Sequence, residues 1–365
     1  MKEILIITNA LGGIYNFRKE LVEKLISKGY NVHIVTPQSK HFDYFNNIGC
    51  KLYKVQIKRR GKNPLKDLSL LVRYLKIMKR IQPNIVLTYT IKPNIYGGLA
   101  ATIYRIPYLT TITGLGSIFQ NEGIGSKIAT ILYRRGLKKS RCVIFQNKHN
   151  KNYMNKNKIV QGPIMLVPGS GVNLSEFTLE DYPMDDRYRF LFIRRIMKEK
   201  GINEFLDAAK QIKLKYPSTE FTIIGSMEDD YREQIQDYEN LGIVNYKGSQ
   251  NNVHSHIKNS HVVINPSHHE GMSNVLLEAA STGRPVLASN ISGCQETFDE
   301  GISGYGFEPN DVNSMVRTII RFIELPHLDK IKMGLDGRRK MEKEFDRNIV
   351  VKKYLDVIEC ILKEG

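Results

Sequence analysis

Residues 262–289 read VVINPSHHEGMSNVLLEAASTGRPVLAS. Val262, Val263 and Ile264 suit a buried strand, which Pro266 closes. Ser273 or Asn274 can cap a helix whose body is 275–280. Gly283 stops that helix, with Pro285 just beyond it, and PVLAS is a second short strand. Strand, loop, helix and strand in this order make the repeating unit of a parallel α/β sheet. Two carboxylates flank the helix start: Glu270 on the loop, and Glu278 about a turn into the helix.

Outward from this unit, both halves of the 365-residue chain alternate strand and helix. EILIIT, YNVHIVTP, CKLYKVQI, NIVLTYT, PYLTTIT and CVIFQN read as strands of the first half. Its helices include GGIYNFRKELVEKLISKG, where a glycine-rich loop leads into the helix, and 65–81. RFLFIRRI, EFTIIGS and HVVINPS are strands of the second half, with a helix over INEFLDAAKQIKLKYP and helical sequence from about 312. Periodicity breaks near 169–183, in PGSGVNLSEF and DYP. The expected architecture is α/β: a domain over 1–175, on which a last helix at about 346–365 packs back, and a second over 176–345. Both would be doubly wound and face one another across a cleft. Ligands of such sheets sit beyond the carboxyl ends of the strands.

A helix start offers free N–H groups to an anion such as phosphate. Gly271, Met272, Ser273, Asn274 and Val275 would supply that site, with Glu278 within reach of sugar hydroxyls and Glu270 beside the same pocket. A ligand with phosphates in its middle and hydroxyls at both ends, such as a nucleotide-sugar, has the matching shape. The plainer reading, from spacing alone, is a solvated helix residue and a loop charge.

Composition narrows the class. The chain is 41% hydrophobic and 25% charged, as globular proteins are. Four widely spaced cysteines without a Cys-x-x-Cys pair point to reduced thiols in a cytosol. The N-terminal MKEILIITNALGG reads as strand and loop, not as a signal peptide. No run approaches the ~20 apolar residues of a spanning helix.

Charge is unevenly divided: residues 1–180 carry a net +21 and the remainder −4. Such asymmetry suggests a polyanionic partner for the first half. Two stretches concentrate it. KRRGKNPLKDLSLLVRYLKIMKR sets Leu68, Leu71, Val72, Leu75 and Met78 on one helical face, with Lys66, Arg73, Lys76 and Lys79 largely elsewhere. KIATILYRRGLKKSR places Ile128, Ile131 and Leu132 beside Arg134, Arg135, Lys138 and Lys139. The apolar stripes by themselves read as core and the charges as a solvated face. The size of the excess turns the reading towards a basic amphipathic surface on an anionic membrane. Nucleic acid is the competing polyanion, but the chain has no Trp and no aromatic-rich stacking platform.

The chain resembles glycosyltransferase family 4, retaining enzymes of the two-Rossmann GT-B fold. The resemblance rests on three motifs in order. ALGGIYNF carries Gly12 and Gly13 on the donor-facing loop. RIMKEKG matches Arg-x4-Lys-Gly, with Arg195 and Lys200 as diphosphate-binding residues. The third is E-x7-E, Glu270 and Glu278. LTYTIKPNIYGGLAA, TITGLGS and PGSGVN are similar to bacterial enzymes that extend lipid-linked oligosaccharides, capsular units and O-antigen units, including N-acetylgalactosaminyltransferases.

The resemblance implies a UDP-sugar donor and a hexose or N-acetylhexosamine transferred with retention to a polyprenyl-diphosphate-linked glycan. The place of work would be the cytoplasmic face of the inner membrane, peripherally bound. Glu270 would hold the donor sugar and Glu278 the ribose, with Gly225 and Gly248 lining the base pocket or simply making turns. No cofactor and no essential metal are expected, since two cations and a helix start already cover the diphosphate. The pairs Asp185–Asp186 and Asp229–Asp230 read as linker and surface loop. Two positions depart from the family pattern. Arg194 stands where it has Gly, either adding charge near the diphosphate or pointing outward, and Thr113 stands where many members have a histidine. No catalytic histidine is assigned, and His268 and His269 are left without a role. A nucleotide-sugar 2-epimerase of the same architecture is the nearest alternative, though its acid and base residues are not found.

Overall fold

The structure is a computed structural model describing residues 1–57, 64–115, 123–185 and 187–364. It divides into two compact units, Met1–Ser170 with Asn348–Gly365, and Gly171–Arg347.

In the first unit the described strands are β1 (Glu3–Ile7), β2 (Asn31–Thr36), β3 (Lys51–Lys54), β4 (Ile85–Tyr89), β5 (Tyr108–Ile112), β6 (Cys142–Phe145) and β7 (Ile164–Leu166). All pairs are parallel, in the order β3-β2-β1-β4-β5-β6-β7. The central strands are short β-branched and leucine runs buried on both faces, as a helix-covered parallel sheet requires. The C-terminal helix Arg347–Glu364 brings Val350, Tyr354 and Ile358 into the core of this unit. The Tyr354 hydroxyl lies 2.8 Å from Thr111 Oγ1.

The second unit repeats the plan with β8 (Arg189–Ile193), β9 (Glu220–Ile224), β10 (Asn245–Tyr246), β11 (Val262–Asn265), β12 (Val286–Ser289) and β13 (Gly304–Phe307). Their order is β10-β9-β8-β11-β12-β13, again with every pair parallel. The chain reverses direction across the sheet between β8 and β11, where open α/β sheets bind ligands at the strands' carboxyl ends.

Helix Leu11–Ser27 begins earlier than the glycine-rich loop suggested, so Gly12 and Gly13 occupy its first turn. Leu11 and Ile14 are buried and anchor that turn. The helical penalty of glycine is tolerable there. The apolar stripes also differ from the expectation. In helix Pro64–Ile81, Leu70, Tyr74 and Met78 face the core, whereas Leu68 and Val72 are exposed. In helix Ile124–Leu137, Ala129, Tyr133 and Leu137 are buried, whereas Ile128 and Ile131 are about half exposed. Both helices lie beside helix Gly98–Ile103, which adds exposed Ile103 and, at its end, Tyr104. The basic 58–63, Gly116 and Ser117 of TITGLGS, and Asp186 lie outside the described residues.

Candidate active site

Three loops meet at the carboxyl ends of β8, β9 and β11. The backbone N–H of Arg194 donates to Ile224 O at 2.9 Å, holding the chain after β8 to β9. Gly225 lies so close that a Cβ there would be 1.6 Å from Arg194 O, so only glycine fits. Gly201 has φ +75°, and a Cβ on it would lie 2.1 Å from Pro266 O. Gly225 thus seats the 194–201 segment against the loop after β9, and Gly201 seats it against the loop after β11. The His268 N–H donates to Glu199 O at 3.0 Å, and Lys200 Nζ donates to His269 O at 3.0 Å.

The same Lys200 Nζ reaches Glu270 Oε1 at 2.9 Å, with both side chains largely enclosed. The same carboxylate oxygen also faces Arg194, whose Nη1 is 3.5 Å from it. Arg194 Nε donates to Asn265 Oδ1 at 3.2 Å, and its Nη2 makes a short contact with Ser273 Oγ. Asn265 Nδ2 donates to the same Ser273 oxygen at 2.8 Å. Burial alone would raise the Glu270 carboxyl, but the Arg194 and Lys200 cations hold it below the usual carboxylate range.

Helix Asn274–Ser281 starts immediately after this cluster. Ser273 is its N-cap by position and by extended backbone, but its hydroxyl is taken by Arg194 and Asn265 and makes no cap bond. The first N–H groups of any helix lack intrahelical acceptors, and their dipole favours an anion. Met272 and Val275 are buried and fix the helix start, while the buried Oδ1 of Asn274 has no hydrogen-bond partner among the described residues. Glu278 follows on this helix, and burial pushes its carboxyl up to about 7 against the opposing pull of Arg194 and Arg347.

The remaining sequence-derived residues fall as follows. Arg195 turns away from Glu270 towards Glu228, with Nη1 at 3.6 Å from Oε2, and is about a third exposed. Gly248 is a turn residue with φ +64° and open space around it, although its carbonyl accepts from the Gly225 N–H at 2.9 Å. Gly12 and Gly13 belong to the first unit, where a Cβ on Gly12 would rest 3.6 Å from His41 Nε2. His268 Nε2 lies 3.0 Å from Glu204 Oε1, and burial lowers the His269 imidazole from its usual value. Asp185 is held by Arg189 through two 2.8 Å bonds, and Asp229 accepts from the Lys198 N–H. Arg134 donates to the Lys158 and Asn157 carbonyls, closing helix Lys148–Lys156, while Arg135, Lys138 and Lys139 are exposed. Asn265 was missed by sequence reasoning. Its signal was a polar residue ending an apolar strand at the carboxyl edge of a parallel sheet.

Comparison with known proteins assigns both units. Residues 178–341 match the family described as "Glycosyl transferases group 1", and residues 4–147 match "Glycosyl transferase 4-like". The chain belongs to the group 1, family 4-like glycosyltransferases. One relative is 23% identical over 98% of both chains: the N,N'-diacetylbacillosaminyl-diphospho-undecaprenol alpha-1,3-N-acetylgalactosaminyltransferase of Campylobacter jejuni. Another is the UDP-Gal:alpha-D-GlcNAc-diphosphoundecaprenol alpha-1,3-galactosyltransferase of Escherichia coli, 25% identical over 96% of this chain and 93% of its own. A solved glycosyltransferase from Rickettsia africae superposes with a TM-score of 0.84 at 20% identity, over 100% of this chain and 99% of that one. The fold of this glycosyltransferase is GT-B.

Proposed function

We propose that the chain transfers a hexose or N-acetylhexosamine from a UDP-sugar to a polyprenyl-diphosphate-linked glycan, with retention and without a metal ion. The observation that carries the reading is the enclosed pair of cations, Arg194 and Lys200, beside Glu270 at the start of helix Asn274–Ser281. Breaking the bond between the anomeric carbon and the diphosphate leaves negative charge on the leaving nucleotide. Preorganised donors and cations stabilise that charge where it develops. Glu270, kept ionised by its neighbours, accepts hydrogen bonds from the donor sugar's hydroxyls. Glu278 does the same for the ribose, whose hydroxyls favour its charged form. The leaving phosphate takes the acceptor proton on the same face of the sugar, so no protein base is required.

The acceptor class is supported by the relatives, two of which are named for diphospho-undecaprenol-linked substrates. It is supported further by the first unit, where exposed Leu68, Val72, Ile128 and Ile131 lie with exposed Arg73, Lys76 and Arg135 on two helices that both pack beside helix Gly98–Ile103, and exposed Lys138 follows the second of them. Apolar side chains flanked by cations suit the headgroup level of an anionic bilayer, with roughly 1 kcal/mol per basic residue near the surface. Among the described residues no helix is long and apolar enough to cross a membrane. The reading is therefore of peripheral attachment at the cytoplasmic face.

The test is a panel of UDP-sugars incubated with purified protein and a polyprenyl-diphosphate-linked sugar, the product being analysed for its anomeric configuration. A lipid-linked product that keeps the donor's configuration supports the proposal. Inversion would remove the same-face mechanism. Conversion of the donor to its epimer, with no acceptor product, would establish the 2-epimerase instead.

A further inference from the structure

Arg194 and Arg195 are consecutive and follow β8, and their side chains take different acidic partners, Glu270 and Glu228. The two side chains separate, so only one of them enters the enclosed cluster. The backbone fixes which one. Arg194 N–H is bonded to Ile224 O and Ile196 N–H to Ser226 O at 2.8 Å, while Gly225 fits against the Arg194 carbonyl. Arg194 consequently points at Glu270, Asn265 and Ser273, and Arg195 at Glu228.

The enclosed cluster also carries more positive than negative charge. Arg194 and Lys200 both face the ionised carboxylate of Glu270, all three at most 15% exposed, while the second enclosed carboxyl near Arg194, that of Glu278, is pushed up to about 7 by burial and is only partly charged. A helix start adds positive potential at the same point. Enclosed charge without a full counter-charge is costly, and it is retained where a ligand supplies the missing anion. Arg194 presents a planar fork suited to two phosphate oxygens.

We infer that Arg194, where the family pattern has glycine, is the guanidinium that binds the donor's diphosphate together with Lys200, in place of Arg195. On donor binding it shares its donors between Glu270 and the phosphate oxygens and ties the sugar-holding carboxylate to the leaving group. The inference rests on the proposed donor reading, and the experiment separates the two.

UDP and uridine are titrated calorimetrically into the full-length protein and into Arg194→Ala, Arg194→Lys and Arg195→Ala. Loss of a charge-assisted hydrogen bond predicts at least about a tenfold fall in UDP affinity for Arg194→Ala. The Arg195→Ala loss should be several-fold smaller, and Arg194→Lys should fall between wild type and Arg194→Ala. Uridine affinity, unchanged in Arg194→Ala, serves as the control that the variant is folded and the loss is confined to the phosphates. An Arg195→Ala loss equal to or greater than that of Arg194→Ala overturns the inference and leaves the donor reading standing. So does a uridine loss as large as the UDP loss in both Arg194 variants. Absence of UDP binding to the wild-type protein overturns the donor reading, and the inference with it.

Discussion

The two units share a winding order, yet they deploy charge in opposite ways. In Gly171–Arg347 the cations that matter are drawn inward to the carboxyl ends of the strands, where Arg194 and Lys200 grip Glu270. In the unit of Met1–Ser170 and Asn348–Gly365, described helices carry Arg73, Lys76, Arg134 and Arg135 on the outside, among exposed isoleucines, leucines and valines. Arg18 is an enclosed cation there too, but it lies over the Tyr89 and Tyr354 rings. An enclosed cation acts at short range, in a low-dielectric setting, on one ligand in one geometry. A solvated cation acts collectively, within about a Debye length of 8 Å at physiological salt. One scaffold thus supports a site in one unit and a surface in the other, and the two should fail differently.

The sharpest way to break this contrast is Lys200→Ala. Removing a preorganised cation from developing negative charge lowers turnover by about 10²-fold or more. Steady-state turnover on a lipid-linked acceptor measures it. Turnover within a few-fold of wild type would deny the second unit its role in leaving-group stabilisation. Binding of the protein to anionic vesicles should be unaffected by the same change.

Glu278 tests the cost of enclosing charge. Its folded carboxyl is pushed up to about 7, above the unfolded value near 4.5, so the folded state holds the proton more tightly. The stability this confers is fully present below about 4.5 and is lost as pH rises through 7. Glu278→Gln removes the ionisation, and should stabilise the protein at pH 8 by up to about 3 kcal/mol while leaving it nearly unchanged at pH 4.5. Thermal melts of both proteins at the two pH values decide this. Equal melting temperatures at pH 8 would show that the carboxylate is already compensated. The same substitution should weaken UDP binding above pH 7, because the amide accepts fewer hydrogen bonds from the ribose.

Much of this contrast was legible in the sequence, and the failures have physical causes. The doubly wound α/β plan of both units followed from β-branched runs alternating with helical periodicity, since fully buried parallel strands can hardly be written otherwise, whereas GT-B was what the family resemblance implied. The loop of Glu270 and the helix of Glu278 followed from Pro266, Ser273 and Gly283. The direction of Arg194 was left open, because strand alternation is set by hydrogen bonds to β9 that no local pattern reveals. The exposure of Ile128 and Ile131 was likewise not decided, because periodicity gives an apolar stripe but not what covers it. The sequence left the cap open between Ser273 and Asn274; Ser273 holds the position before the helix, but its hydroxyl is drawn to Asn265 and to Arg194, the latter 79 residues away.

A smaller effect is expected from the outer surface. Changing Arg134, Arg135, Lys138 and Lys139 together to Ser should weaken attachment to anionic vesicles by about tenfold, less than four full contributions of 1 kcal/mol because solvated charges are screened. Arg134 contributes least, since its guanidinium is bonded to the Asn157 and Lys158 carbonyls. Co-sedimentation at low and high salt measures it, with UDP affinity as the control that should not move. Binding indifferent to lipid charge would reduce the surface to a solubilising coat.

The smallest expected effect is that of a chelator. A divalent ion in such a reaction would neutralise the diphosphate, a task that Arg194, Lys200 and the start of helix Asn274–Ser281 are placed to perform. Glu270 is committed to those two cations and Asp229 to the Lys198 N–H, while Asp185 is held by Arg189 at the opposite end of β8. Turnover in excess chelator should therefore match that in added magnesium within about twofold, far from the several kcal/mol a required Lewis acid contributes. Activity abolished by chelation and restored by magnesium or manganese would mean that the enclosed cations alone do not carry the leaving-group charge. The contrast between the two units would then need a third participant. A chelator effect confined to vesicle-bound protein would place the ion at the lipid surface instead, on the side of the molecule where charge is left in solvent.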